Sequence, residues 1–340
     1  MGDVAMTVPV LRALAQQHPE VKITMVSRPL FRAFFDDIPN IGFFEADLGN
    51  RHKGLRGLFR LYSKLKMLKV DAIADLHNVL RSKIIRLLFK LGGVETAAVD
   101  KARAEKKGLT RPKDKIFRQL LPITERYCNV FASLGFPVSL AQPHFPKPNP
   151  MTAEIEAVTG FKESKWIGIA PFAKHEGKVY PADLMREVIK ELSDDNTNKL
   201  FLFGAGKEEI DILHNYAQTN RNIIVVAGKL SLKDELNLIS NLDLMLSMDS
   251  ANAHIAANFG IPVVTLWGAT HPFAGFAPFN QPSENAITAD REKYPMLPTS
   301  VYGNKKVEGY DDAMRTIAPD VVVEKIKSIL RSPNSDQTSS

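Results

Sequence analysis

A chain of 340 residues, 44% hydrophobic and 24% charged, is ordinary globular material and long enough for two cores. Its single cysteine, Cys128, excludes an internal disulfide and an all-thiolate metal site, and no apolar run reaches the roughly 20 residues that span a bilayer. The net charge of +6 is uneven: residues 1–150 hold 25 Lys and Arg against 13 Asp and Glu, a balance of +12, which predicts an acidic partner for that half.

The chain opens with MGDVAMTVPVLRALA, in which Gly2 and Asp3 read as a turn and Val10, Leu11 and Leu14 fall at helical spacing. Residues 21–26 predict a strand, 29–35 a short helix and 41–45 a second strand. Residues 51–69 are basic, with Leu55, Leu58, Phe59, Tyr62, Leu65 and Leu68 at helical spacing. This fits an interfacial amphipathic helix, but such a helix more often simply covers a sheet with its Lys and Arg in water. Residues 71–76 predict a strand, 79–91 a basic helix, 101–115 a charged loop broken by Gly and Pro, and 123–134 a helix. The Pro-rich run 142–150 reads as a linker, giving a first domain at 1–148 and a second at 149–312.

The second half repeats the alternation. Strands are predicted at 166–171, 200–203 and 222–226, with a helix from Pro181, the loop GAGKEE at 204–209, a helix to about 219 and another at 232–240. The stretch 242–267, LDLMLSMDSANAHIAANFGIPVVTLW, reads as strand, turn, helix, turn, strand. Asp249 and Ser250 give an N-cap signal, and Gly260 followed by Pro262 gives the stop. Such a βα turn aims free N–H groups and the positive end of a helix out of the sheet, an anion site suited to phosphate. Asp249 also reads simply as a cap. After the exit loop 268–280 comes a final amphipathic helix at 318–330 and a polar tail at 332–340, expected to be disordered. Alternating strand and helix in both halves predicts two doubly wound α/β domains, with ligands beyond the carboxyl ends of the strands. No strand runs into G-x-G-x-x-G, against a dehydrogenase, and no nucleic-acid recognition motif is visible.

MDSANAH, a hydrophobic helix and then VVTLWGAT resemble the donor-nucleotide motif of the heptosyltransferases, glycosyltransferase family nine, with Ala251 where glycine is usual. The resemblance covers nearly the whole chain. It implies the GT-B fold, two Rossmann-like domains, and an inverting, metal-independent transfer from a nucleotide sugar, ADP-heptose first, with no cofactor. The implied acceptor is a phosphorylated glycolipid of the lipopolysaccharide core. The implied location is cytoplasmic, peripheral to the anionic face of the inner membrane, with no nucleic-acid partner. In the family the Gly-Asp pair follows a first strand, so about ten further residues forming an apolar strand are expected ahead of Met1. The aspartate of that pair, Asp3, matches the catalytic base. Lys178 in GKVYP matches the lysine of K-x-W-P that neutralises the leaving diphosphate, with Tyr180 in place of tryptophan. Glu208 matches the acid that binds ribose, Asp249 faces the donor sugar, and the amides of Ser250 and Ala251 take phosphate. Thr7, Pro171, Phe172 and His254 complete the donor side. DLHNVLRS resembles the family's acceptor stretch, which puts Asp75, His77 and Arg81 there. His175 and His271 have no assigned role. The last helix, within 313–331, is expected to return to the N-terminal domain. Two other readings stay open: a GT-B transferase with another sugar nucleotide, and a non-catalytic binder of sugar nucleotide or glycolipid.

Overall fold

The computed structural model describes residues 1–194, 197–218 and 220–332. The chain forms two units that do not follow sequence order. The first holds Met1–Arg103 and Leu121–Pro146; the second holds Ala104–Leu120 and the described residues from Lys147 on.

The first unit opens with one helical turn, α1 (Gly2–Ala5), and then α2 (Val8–Gln17), whose Pro9 lies in the first turn, where a missing N–H costs no bond. β1 (Ile23–Ser27) pairs in parallel with β2 (Ile41–Glu45) across a 3-10 turn at Pro29–Phe34. α3 (Gly54–Lys66) leads to β3 (Ala72–Asp75), and α4 (Leu80–Leu91) to β4 (Glu95–Ala98), which pairs in parallel with β3. The two pairs are separate two-stranded sheets. Leu61 and Leu65 of α3 and Phe89 of α4 share a small core, with Tyr62 edge-on to Phe89 at 5.0 Å.

The stretch expected as a loop at 101–115 contains α5 (Arg103–Thr110), and it belongs to the second unit. Ala, Lys, Glu and Leu are strong helix formers, and Pro112 disfavours helix at the residue before it, so the helix stops there. Leu109 and Leu120 are buried with Ala274 and packed by Phe117, Phe273 and Phe276. α6 (Ile123–Ser133) then returns to the first unit.

From α7 (Ala153–Thr159) the second unit alternates helix and strand as far as Trp267. β5 (Lys165–Ala170), α8 (Ala182–Ser193), β6 (Asn198–Leu202), α9 (Lys207–Ala217) and β7 (Ile223–Val225) come first. α10 (Leu232–Ser240), β8 (Leu244–Met248), α11 (Ala251–Asn258), β9 (Val263–Trp267), β10 (Ala286–Thr288) and α12 (Pro319–Arg331) follow. The strands form one parallel sheet in the order β10-β9-β8-β5-β6-β7. Every residue of β8 and β9 is buried, as helices on both faces require, and both strands are dominated by apolar residues for that reason.

Two boundaries differ from the sequence reading. The second unit takes 104–120 from the N-terminal half. The last helix belongs to the second unit: Val322, Val323 and Ile326 of α12 are fully buried in that unit's core with Val188, Ile189 and Leu192 of α8. Its stripe of β-branched residues faces α8, and Lys327 reaches Glu191 at 3.1 Å. The tail at 333–340 lies outside the described residues.

Candidate functional site

In the second unit the chain runs from β5 outward to β6 and β7, then crosses back to β8 on the other side of β5. The order therefore reverses between β5 and β8, and an open α/β sheet has its crevice at the carboxyl ends of such a strand pair. β5 ends at Ala170 and delivers Pro171 and Phe172; β8 ends at Met248 and delivers Asp249 and Ser250.

At that point the Lys178 ammonium meets the Asp249 carboxylate, Nζ to Oδ2, at 3.0 Å, with the side chains only 14% and 9% exposed. Three loops hold the lysine. A 3-10 turn at Glu176–Lys178 follows β5, and its Gly177 carbonyl accepts from the Ala269 amide beyond β9 at 2.8 Å. Gly303, at φ +77°, lies on the lysine stem; a Cβ there would come within 2.4 Å of Lys178 Cγ. Only glycine meets both the backbone and the space at that position. Beside it, Tyr180 is 1% exposed and donates its hydroxyl to the Ile317 carbonyl at 2.6 Å. The tyrosine that replaces the expected tryptophan is thus a core residue, and burial pushes its phenol pKa up.

α11 begins directly after Ser250, whose Oγ lies 3.0 Å from Ser247 Oγ. The first amides of α11 have no intrahelical acceptor and point, with the helix dipole, out of the same strand end that carries Asp249. His254 of α11 is buried. In the Gly204–Glu209 loop, Glu208 is exposed in the first turn of α9, while Glu209 turns inward and accepts from the Ala205 amide at 2.7 Å. Glu209 therefore shapes the loop and leaves Glu208 to the solvent side. A Cβ on Gly204 would lie 3.2 Å from the Phe172 ring, so the two loops touch there.

The first unit gathers a second group. Asp75 Oδ1 accepts from the amides of His77 and Asn78 at 3.2 and 2.7 Å, and Asn78, at φ +45°, donates to the Val99 carbonyl at 2.8 Å. This Asx turn after β3 presents His77, whose Nε2 lies 3.9 Å from Asp3 Oδ2. Both side chains are more than half exposed. Burial is the largest influence on His77 and lowers its pKa, against the opposing pull of the Asp3 carboxylate. Arg81 is exposed in the first turn of α4. Thr7, read as a donor contact, is buried, with its hydroxyl donating to the Val4 carbonyl at 2.7 Å within the turn between α1 and α2.

His271 is structural. Its Nδ1 accepts from the Phe273 amide at 3.1 Å and its ring stacks edge-on with Phe117 and Phe273. Burial, with Arg291 nearby, pulls its pKa down to about 4, so the ring is neutral. Sequence reasoning missed a carboxylate on α10: burial alone pushes Glu235 up to about 7. Among the described residues no three His, Cys, Asp or Glu side chains gather where they could hold a metal ion, and no helix is long and apolar enough to cross a membrane.

Residues 58–306 match the sequence model described as glycosyltransferase family 9 (heptosyltransferase). The lipopolysaccharide core heptosyltransferase OpsX of Haemophilus influenzae is 25% identical over 313 residues, 86% of this chain and 82% of its own. The structure is similar to that of a glycosyl transferase family 9 protein from Veillonella parvula, with TM-score 0.74 and 20% identity, covering 97% of this chain and 94% of that one. It is similar also to Escherichia coli heptosyltransferase WaaC with ADP, with TM-score 0.69 and 18% identity, covering 96% of each. These likenesses establish the GT-B fold.

Proposed function

The chain belongs to glycosyltransferase family 9, the heptosyltransferases, and from that premise we propose that it moves a heptose from ADP-heptose to a phosphorylated lipopolysaccharide-core acceptor with inversion at the sugar carbon. The observation that carries this reading is the Lys178–Asp249 pair at the switch point, beside the start of α11. An acceptor oxygen forms its bond to the anomeric carbon while the bond from that carbon to the diphosphate oxygen breaks. The acceptor proton goes to a carboxylate, assigned to Asp3. The electron pair leaves on the diphosphate, where Lys178 and the first amides of α11 stabilise the new charge. Asp249 holds the ammonium in place and faces the donor sugar; Glu208 receives the ribose hydroxyls. Ser250 and Ala251 supply phosphate amides, with Pro171, Phe172 and His254 around them. His77 and Arg81 serve the acceptor. The reaction runs at the cytoplasmic face of the membrane that holds the acceptor.

Calorimetric titration with ADP, with and without chelator, tests the donor half. Binding that survives chelation is expected, and strict dependence on Mg²⁺ or Mn²⁺ overturns the assignment of the phosphate charge to Lys178. Release of ADP from ADP-heptose in the presence of a lipid A–core acceptor tests the whole. ADP binding without any release favours the non-catalytic binder.

A further inference from the structure

α3 has two apolar sides. Leu58, Leu61 and Leu65 are buried in the first unit. The other side leaves Leu55 and Phe59 in water, 66% and 53% exposed, with Met67 just past the helix end at 77%. Leu55 and Phe59, four residues apart, stack on one face, and Arg56, Arg60 and Lys64 run beside them at the same spacing. α4, which packs on α3, repeats the arrangement: Leu80, Lys83, Leu87, Lys90 and Leu91 fall on one stripe, all exposed. Across residues 51–70 and 79–94 there are eleven Lys and Arg and no Asp or Glu.

Large apolar side chains grouped on a folded surface mark an interaction site. The cations around them decide which occupant fits. A second copy of the same face would set like charges against each other. A nucleic acid would meet the charges and leave Leu55, Phe59 and Leu87 in water. An anionic lipid leaflet satisfies both: acyl chains take the apolar side chains, headgroups take the guanidinium and ammonium groups, and the long stems of Lys and Arg span the depth between them. We propose that the outer faces of α3 and α4 form an interfacial docking surface for an anionic phospholipid leaflet. The inference deepens the transfer reading by naming the surface on which the enzyme meets its lipid-borne acceptor, and rests on that reading only for this consequence.

Phe59→Trp places a reporter on the surface. The native Trp166 and Trp267 are each 1% exposed and remain blind to lipid. With vesicles of phosphatidylglycerol and phosphatidylethanolamine, a blue shift and quenching by brominated acyl chains are expected, both weakening as salt rises. Phosphatidylcholine vesicles should give neither. Each basic residue near an anionic leaflet contributes about fivefold in partitioning, so Arg56→Gln with Arg60→Gln should weaken vesicle binding roughly 25-fold. Leu55→Ser should reduce the blue shift. All these positions are exposed, so melting temperatures should hold. No blue shift, or equal binding to neutral and anionic vesicles, overturns the proposal. So does a shift produced by DNA, or by raised protein concentration without lipid, which would assign the face to those partners. ADP binding measured without vesicles runs in parallel, so a failed lipid surface and a failed transfer reading give different results.

Discussion

Both units use parallel strands with helices between them, yet they cover those strands very differently. In the second unit β8 and β9 are buried throughout and β5 along all but its first residue. In the first unit β1 alternates between half-buried and exposed, and β3 is fully buried only at Asp75. The consequence is electrostatic. Lys178 and Asp249 meet where water is scarce, so each is held strongly and the position of the charge is fixed. Asp3 and His77 meet at 3.9 Å with most of each side chain in water, where the attraction is screened. The second unit thus keeps its charge pair out of water, whereas the first leaves Asp3, His77 and the outer apolar side chains of α3 and α4 in solvent.

The contrast breaks first at Lys178. Lys178→Ala should lower turnover about 10²–10³-fold, the effect of removing one donor to a developing oxyanion, roughly 3–4 kcal/mol. It should also lower the melting temperature, because Asp249 stays buried without its partner. Adding Asp249→Ala should restore much of the stability and none of the turnover. Full turnover in the single variant would make the pair purely structural.

The second test is acid and base. His271 has its pKa lowered to about 4, so the unfolded chain binds a proton between pH 6.5 and 4 that the folded one refuses. Its contribution is whole above pH 6.5 and is lost as pH falls, by up to about 3 kcal/mol. Glu235, raised to about 7, has the opposite sign: stability is whole below pH 4.5 and is lost as pH rises through 7. The two slopes nearly cancel between pH 4.5 and 6.5. Glu235→Gln should raise stability above pH 7 by up to about 3 kcal/mol and leave the His271 slope bare. Denaturation followed by the fluorescence of Trp166 and Trp267 reads this unit alone.

Gly303→Ala should cost about 1–3 kcal/mol, since φ +77° and contact with the Lys178 stem both oppose a side chain. Turnover should fall more than the melting temperature suggests, because the displaced group is the lysine; equal falls would show that the loop acts only on stability. The smallest effect belongs to the first unit's surface. Leu87→Ser should change stability by no more than about 0.5 kcal/mol in the absence of lipid. A larger loss in a thermal melt would place Leu87 in a core and remove it from the docking face.

The sequence was most legible where burial was complete. β8, α11 and β9 stand where their apolar runs, N-cap signal and Gly-x-Pro stop predict. β4 (ETAA) and β10 (AIT) escaped because they are short, pair on one side only and carry no apolar run. α7 spans only about two turns and announces itself only by its cap, Thr152, which accepts from the Ile155 amide. Of the site, the residue types were readable and the pairing was not. Lys178 and Asp249 lie far apart in sequence on loops after different strands, and no local pattern shows that the sheet order reverses between them. Gly303 is further still from the motif it supports. Glu209 could have been foreseen: an acid at the third position of a helix commonly reaches back to a backbone amide at the helix start.

The excursion of residues 104–120 bears on how this protein can be taken apart. The linker near residue 146 looks like the natural place to cut or to splice in another family member's half. Cutting there removes α5 and Phe117 from the unit they complete. The C-terminal piece would be left with Ala274, Phe273 and His271 uncovered, where Leu109, Leu120 and Phe117 now sit. Arg291 would lose the ring beneath it, now 3.4 Å from the Phe117 centroid. A working chimera therefore has three junctions, near residues 103, 121 and 146, and the short middle segment must come from the same parent as the C-terminal half.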